Sequence, residues 1–283
     1  MSLVYADLRD YAYAIADGAL AREGPPRMAR QALVPAQLAR SAGVMPHLYD
    51  IAAATPLARE AALALALAQE AEGEDLWLSL LLDVDEGVTR DALAQALTTR
   101  LVLPLPGVGP CFFRYFDPRV LVQLQWLFTP AQMAWLMGPA RRWKYGLAGA
   151  WEETRRPEAI AAESPGITQR QAFVLQRLNV VNTLLERLSP ATPAAWRDKG
   201  QEIARHLERA RDHGLQRLRD QEEYAWHGMT VHPRFDSHPL LRARLAALPP
   251  DADFPYQVAT ADLGPEDYDR IRDELNDPTR TLV

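Results

Sequence analysis

The spacing of apolar and polar positions changes character about halfway along the chain. In residues 11–16 small and aromatic side chains run together before Asp17 and Gly18, which predicts a short buried strand ending in a turn. Residues 56–71 are rich in Ala and Leu, a composition of high helix propensity, and predict a helix. The continuous apolar run at 76–84 (LWLSLLLDV) lies between acidic residues and has the length of a strand buried on both faces. Leu93, Leu97 and Leu101 then return to helical spacing and predict a helix over 89–101. Residues 111–116 (CFFRYF) predict an aromatic strand that stops at Asp117-Pro118, where Asp can cap a helix and Pro fits its first turn. That helix is expected to end near Phe128, because Thr129-Pro130 repeats the same start for a second helix, which Gly138-Pro139 terminates. A final strand is expected over 143–151. Strands interspersed with helices predict a mixed α/β lobe over residues 1–152, with a small sheet flanked by helices.

Prolines and alternating charges mark 153–166 as a linker, and beyond it the periodicity is helical only. Thr168 to Gln171 matches a capping box, and Val174, Leu178, Val181, Leu185 and Leu188 share one stripe of the helix it opens. Thr192-Pro193 starts a longer helix with Trp196, Ile203, Leu207, Ala210 and Leu218 facing one way, and the two are expected to form an antiparallel hairpin. The proline-rich stretch 233–255 is expected to be irregular apart from a short helix over 240–248, and 265–275 to form an acidic helix. Residues 167–283 are therefore an all-helical lobe, and the fold class is α+β.

At 283 residues, with 48% hydrophobic and 24% charged side chains, the chain is long enough to bury two cores. The most apolar stretch, 61–68, falls well short of the ~20 residues that cross a bilayer, and Asp7, Arg9 and Asp10 interrupt any secretory signal. A cytoplasmic protein is the expectation. Cys111 is the sole cysteine, which excludes an intramolecular disulfide and every multi-cysteine metal arrangement. A net charge of -6 argues against general nucleic-acid binding, because that affinity comes from Lys and Arg neutralising phosphates. The charge is uneven: residues 187–219 are mainly basic and residues 220–283 mainly acidic. Such asymmetry fits a charged partner surface or a solvated helix beside an acidic tail.

Motifs that carry chemistry are scarce. Neither GxxxxGK[ST] nor GxGxxG occurs, nor do HExxH, CxxC or GxSxG, so no cofactor is expected, and Gly107 to Gly109 is expected to be a turn. His227, His232 and His238 lie in a polar segment without metal-ligand spacing and are expected to be exposed loop residues; no metal is expected. Cys111 sits in an aromatic run and is expected to be buried and inert. The adjacent pairs Glu152/Glu153 and Glu222/Glu223 point apart on any regular element. The cluster Arg114, Asp117 and Arg119 has two readings: Asp117 caps a helix while an arginine braces it, or the corner receives a partner's carboxylate or backbone.

At this corner the sequence resembles a family. The run FFRYFDPRVL followed by Gly138-Pro139-Ala140-Arg141-Arg142-Trp143 is similar to the signature of the type VI secretion effector adaptors of domain-of-unknown-function family 4123. Tyr13 to Ala19 is similar to that family's opening strand and Leu76-Trp77 to its central Leu-Trp, while Met137 stands where the family often has Phe. The resemblance covers about residues 8–152. It implies a non-enzymatic chaperone, encoded beside its cargo, that binds a cognate secreted effector and a valine-glycine repeat spike protein. On this view the variable helical lobe selects the partner, with Arg205, Arg209 and Arg211 as exposed charges for association. An enzyme whose site is assembled from distant residues, or a regulatory scaffold outside secretion, would be the alternatives.

Overall fold

The computed structural model describes residues 3–18, 28–72, 76–158, 166–248 and 253–277. The fold is α+β, with an antiparallel sheet in the N-terminal half and helices in the C-terminal half. The chain forms two compact units, one of Met1–Gln176 with Pro190–Arg197, the other of Arg177–Ser189 with Asp198–Val283. They do not divide at a linker over 153–166: the sheet continues through Arg155, and the first helix beyond belongs to the first unit. Residues 159–165 of that expected linker lie outside the described residues.

In the first unit six strands pair in the order β2-β3-β1-β4-β7-β8, every pairing antiparallel. They are β1 (Tyr13–Ala16), β2 (Arg30–Ala32), β3 (His47–Asp50), β4 (Leu80–Val84), β7 (Ala140–Leu147) and β8 (Ala150–Arg155). The central β1 is buried throughout, and alternation sends Ala14 and Ala16 to one face. There they pack in one core with Ala58, Ala62 and Ala66 of helix α2 (Pro56–Glu72), whose i, i+4 alanines let the backbones approach. Trp77 locks this contact: its indole donates to the Ala62 carbonyl at 3.0 Å, and its amide donates to the Gln69 side chain at 2.7 Å. Gly18, just after β1, allows equally close passage of Val44–Met45, whose backbone a Cβ would overlap.

Helix α3 (Arg90–Arg100) forms where expected and is capped by Thr89, and α4 (Pro118–Leu127) and α5 (Pro130–Met137) begin at Asp117 and Thr129 and lie against β7. Two strand expectations change. Residues 111–116 do not form one strand: β5 (Val102–Leu105) and β6 (Gly109–Phe112) make a separate two-stranded hairpin closed by the turn at Gly107. Phe113, Tyr115 and Phe116 leave it to fill the core, where Tyr115 stacks on Trp143 at 5.7 Å. Cys111 accordingly sits half-buried on the hairpin, not in the core. Residues 143–151 are likewise not one strand, because the turn at Ala148-Gly149, with φ of 51° and 70°, folds β7 back into β8. Both central residues lie in the left-handed region that a two-residue hairpin turn requires.

The stripe starting at Thr168 breaks at Gln176-Arg177 into α6 (Gln169–Leu175), with its capping box, and α7 (Leu178–Leu188). Helix α8 (Pro193–Asp212) stops before Gly214, whose φ of 82° closes the helix end, so Leu218 does not lie on its stripe. Leu218 instead begins α9 (Leu218–Thr230), an unexpected helix, and is 46% exposed. The expected hairpin partner is also different, since α7 packs on α9, with the Arg187 guanidinium 3.7 Å from the Trp226 ring centroid. The short helix α10 (Pro239–Ala246) and the acidic α12 (Pro265–Asn276) fall where expected, and α11 (Pro255–Thr260) is new. The core of this second unit is aromatic, with Tyr224 4.8 Å from Phe235 and 5.6 Å from Tyr256. Among the described residues no helix is long and apolar enough to cross a membrane.

Ala148 occupies the left-handed region without the side chain that favours it, at a cost of about 1 kcal/mol. Ala148→Asn, which creates the preferred Asn-Gly pair, is expected to raise Tm by roughly 2–4 °C in thermal unfolding. An unchanged or lower Tm would mean that the turn is not strained.

Candidate functional site

The corner between the β5–β6 hairpin and α4 is tied together by one carboxylate. Asp117, 7% exposed, accepts the Arg119 amide at 3.0 Å as the cap of α4, then Arg119 Nε at 3.1 Å and Nη2 at 2.9 Å. Arg114 Nη2 donates to Asp117 at 3.4 Å and to Asp17, just beyond β1, at 2.5 Å. The Arg114 guanidinium also lies 5.7 Å from the Phe116 ring centroid. Pro at the first helical position fits because its missing N–H is one the helix start leaves unpaired anyway. The three residues singled out from sequence are thus in mutual contact, and the capping and bracing expected of them are present.

These residues also line a cleft of about 350 Å³ at one end of the sheet. Asp17 comes from the end of β1, Leu78 and Ser79 from the approach to β4, Gly146 and Leu147 from the end of β7, and Ala150 and Trp151 from the start of β8. Glu70 reaches it from α2 and Leu76 from the segment before Trp77. Gly146 lets this surface pack closely: a Cβ there would lie 3.2 Å from the Trp151 indole and 3.4 Å from Leu76, tighter than most such contacts. Sequence reasoning missed Glu70, Ser79, Gly146 and Trp151, which no motif connects. The one available signal was a glycine inside an apolar strand, which marks close approach of another group.

The expected basic surface of α8 is more structural than predicted. Arg205 is exposed and Arg211 pairs with Asp212 at 3.1 Å. Arg209, however, is bound to Asp236 through Nε at 3.2 Å and a second bond from Nη2, and it donates to the Pro233 carbonyl at 2.6 Å. Asp236 also accepts the Tyr224 hydroxyl at 2.6 Å and lies 3.2 Å from His213 Nε2. Arg209 is therefore not a free surface charge: it ties α8 to the segment after α9.

The histidines correct the loop expectation. His227 lies on α9 with Nδ1 2.7 Å from the Tyr256 hydroxyl, and burial pushes its pKa down to about 4. His238 is buried as the cap of α10, its Nδ1 accepting the Leu240 amide at 3.3 Å. His232 lies half-buried in the loop after α9, with Nδ1 accepting the Arg234 amide. His206 is buried on α8 against Gly228, and burial, then Arg209 and Arg205, push its pKa down to about 4. Among the described residues no group of three or more His, Cys, Asp or Glu is placed to hold a metal ion. Glu152 bonds the Tyr145 hydroxyl and Glu153 the Tyr11 hydroxyl, so the pair diverges.

No protein-family model matches the chain, and no curated protein or solved structure matches it.

Two outcomes follow from these contacts. Asp117→Ala removes the cap and leaves two guanidinium groups without their shared acceptor. It is expected to cost about 1–2 kcal/mol and lower Tm by roughly 2–8 °C; a wild-type melt would show that the corner carries no stability. His206 and His227 titrate near 4 when folded and near 6.5 when unfolded, so the unfolded chain binds more protons between those values. Their contribution is complete above about pH 6.5 and is lost as pH falls toward 4, by up to roughly 3 kcal/mol each. Hydrogen exchange, corrected for intrinsic rates, should show α8 and α9 losing protection from pH 7 to pH 4.5; unchanged protection would count against buried neutral imidazoles.

Proposed function

We propose that this chain is a non-enzymatic cytoplasmic adaptor of type VI secretion. It binds a cognate secreted effector and loads it onto a valine-glycine repeat spike protein. The observation that carries the proposal is the convergence of the adaptor-like motif on one cleft. Arg114, Asp117, Pro118 and Arg119 of the FFRYFDPRVL run line it, and β7, which follows Gly138-Pro139, delivers Gly146 and Leu147 to it. The Asp-Pro pair and the Gly-Pro pair are distant in sequence, and packing of α4 and α5 on β7 brings their elements together. A cleft lined by both apolar and charged side chains suits recognition of a partner segment, with charge choosing among partners.

Deleting the gene should remove the effector encoded beside it from culture supernatant, while sheath assembly and secretion of other effectors persist. Affinity capture of the chain from co-expressing cells should retain both effector and spike. Secretion at wild-type levels together with no retained effector would refute the adaptor function.

A further inference from the structure

The cleft contains polar groups that bond to none of the described residues. Ser79 is 8% exposed and lines the cleft, and its hydroxyl has no hydrogen-bond partner among the described residues. Arg114 spends only Nη2 on Asp17 and Asp117, so its Nε and Nη1 donate to none of the described residues. Glu70 lines the same cleft without an ion-pair or hydrogen-bond partner among them. Arg114 pairs with Asp17 and Asp117, and Arg119 with Asp117, whereas Glu70 pairs with no cation among the described residues. Helix α2 ends two residues later with no basic residue in its last turn, so the partial negative charge of the helix end adds to that of Glu70. Leu76, Leu78, Leu147 and Trp151 supply the apolar surface.

We propose that this cleft binds a short extended peptide segment in which a basic side chain neighbours an apolar one. Glu70 takes the cation, Arg114 donates to a backbone carbonyl, Ser79 bonds the adjacent peptide group, and Leu76 and Trp151 receive the apolar side chain. An acidic segment is disfavoured, because Arg114 already serves two carboxylates and Glu70 would repel a third. A cavity of this volume lies at the lower end of the range that binds compact ligands, enough for a pair of side chains and their backbone. The proposal deepens the adaptor function and rests on it only for the origin of the segment, which is a protein the chain carries.

The test uses the full chain with methyl-labelled leucines, titrated with acetyl-Leu-Lys-Leu-amide and with the matching norleucine and glutamate peptides. The lysine peptide is expected to shift the methyl signals of Leu76, Leu78 and Leu147 saturably and to bind about fivefold or more tightly than the norleucine peptide. The glutamate peptide is expected to bind more weakly than either. Glu70→Gln, which breaks no contact among the described residues, should reduce the lysine peptide to the norleucine level. Ser79→Ala should weaken all three alike. Equal binding of lysine and norleucine peptides, shifts confined to other leucines, no binding, or an unaltered Glu70→Gln variant would each overturn the proposal. Secretion separates it from the adaptor function. A chain that takes the lysine peptide but does not support effector secretion refutes the adaptor and leaves the cleft. A chain that supports secretion but ignores the peptides refutes the cleft alone.

Discussion

The Asp117 carboxylate is the point on which the N-terminal unit turns. It accepts the first free amide of α4 and both neighbouring arginines, and through Arg114 it is linked to Asp17 at the end of β1. A helix start must satisfy its unpaired amides somewhere, and a charged acceptor does so with stronger bonds than a hydroxyl. Because that acceptor is shared, the position of α4, the orientation of two guanidinium groups and the end of the central strand are coupled. Burial of Tyr115 and Phe116 just before it holds the corner from the other side.

In the second unit a different carboxylate has a comparable part. Asp236 gathers Arg209 from α8, His213 from the α8–α9 connection and Tyr224 from α9. Around it Phe235, Tyr256 and His227 pack edge to face or tilted, so each polar tip meets a partner while the rings exclude water. A core of this kind depends on proton state more than an aliphatic one, because buried imidazoles must remain neutral.

Local signals in the sequence located the elements that carry their own instructions. Asp117-Pro118, Thr129-Pro130 and Thr168 to Gln171 each fix a helix start through a side chain and a proline or capping box, and each stands where expected. What was not legible depends on contacts between distant residues. The aromatic run at 111–116 has strand composition throughout, yet only its first part pairs, because the β5–β6 register ends at Phe112. The extension of the apolar stripe to Leu218 ignored Gly214, whose left-handed backbone ends α8 and frees a new helix. The Arg114, Asp117 and Arg119 part of the cleft was visible as a cluster of charge at a strand-to-helix corner. Glu70, Ser79 and Trp151 were not, because α2, β4 and β8 meet there only after folding.

Gly18 has no functional group, yet the geometry of the cleft depends on it. It follows Asp17 directly, and the Val44–Met45 backbone passes where any side chain would project. A larger residue would have to displace that backbone or tilt the end of β1, and either movement carries the Asp17 carboxylate away from Arg114. The absence of one carbon atom therefore fixes where the ion pair beside it can form. A substitution at this chemically silent position would be felt one residue away, in the placement of a charge on the wall of the cleft.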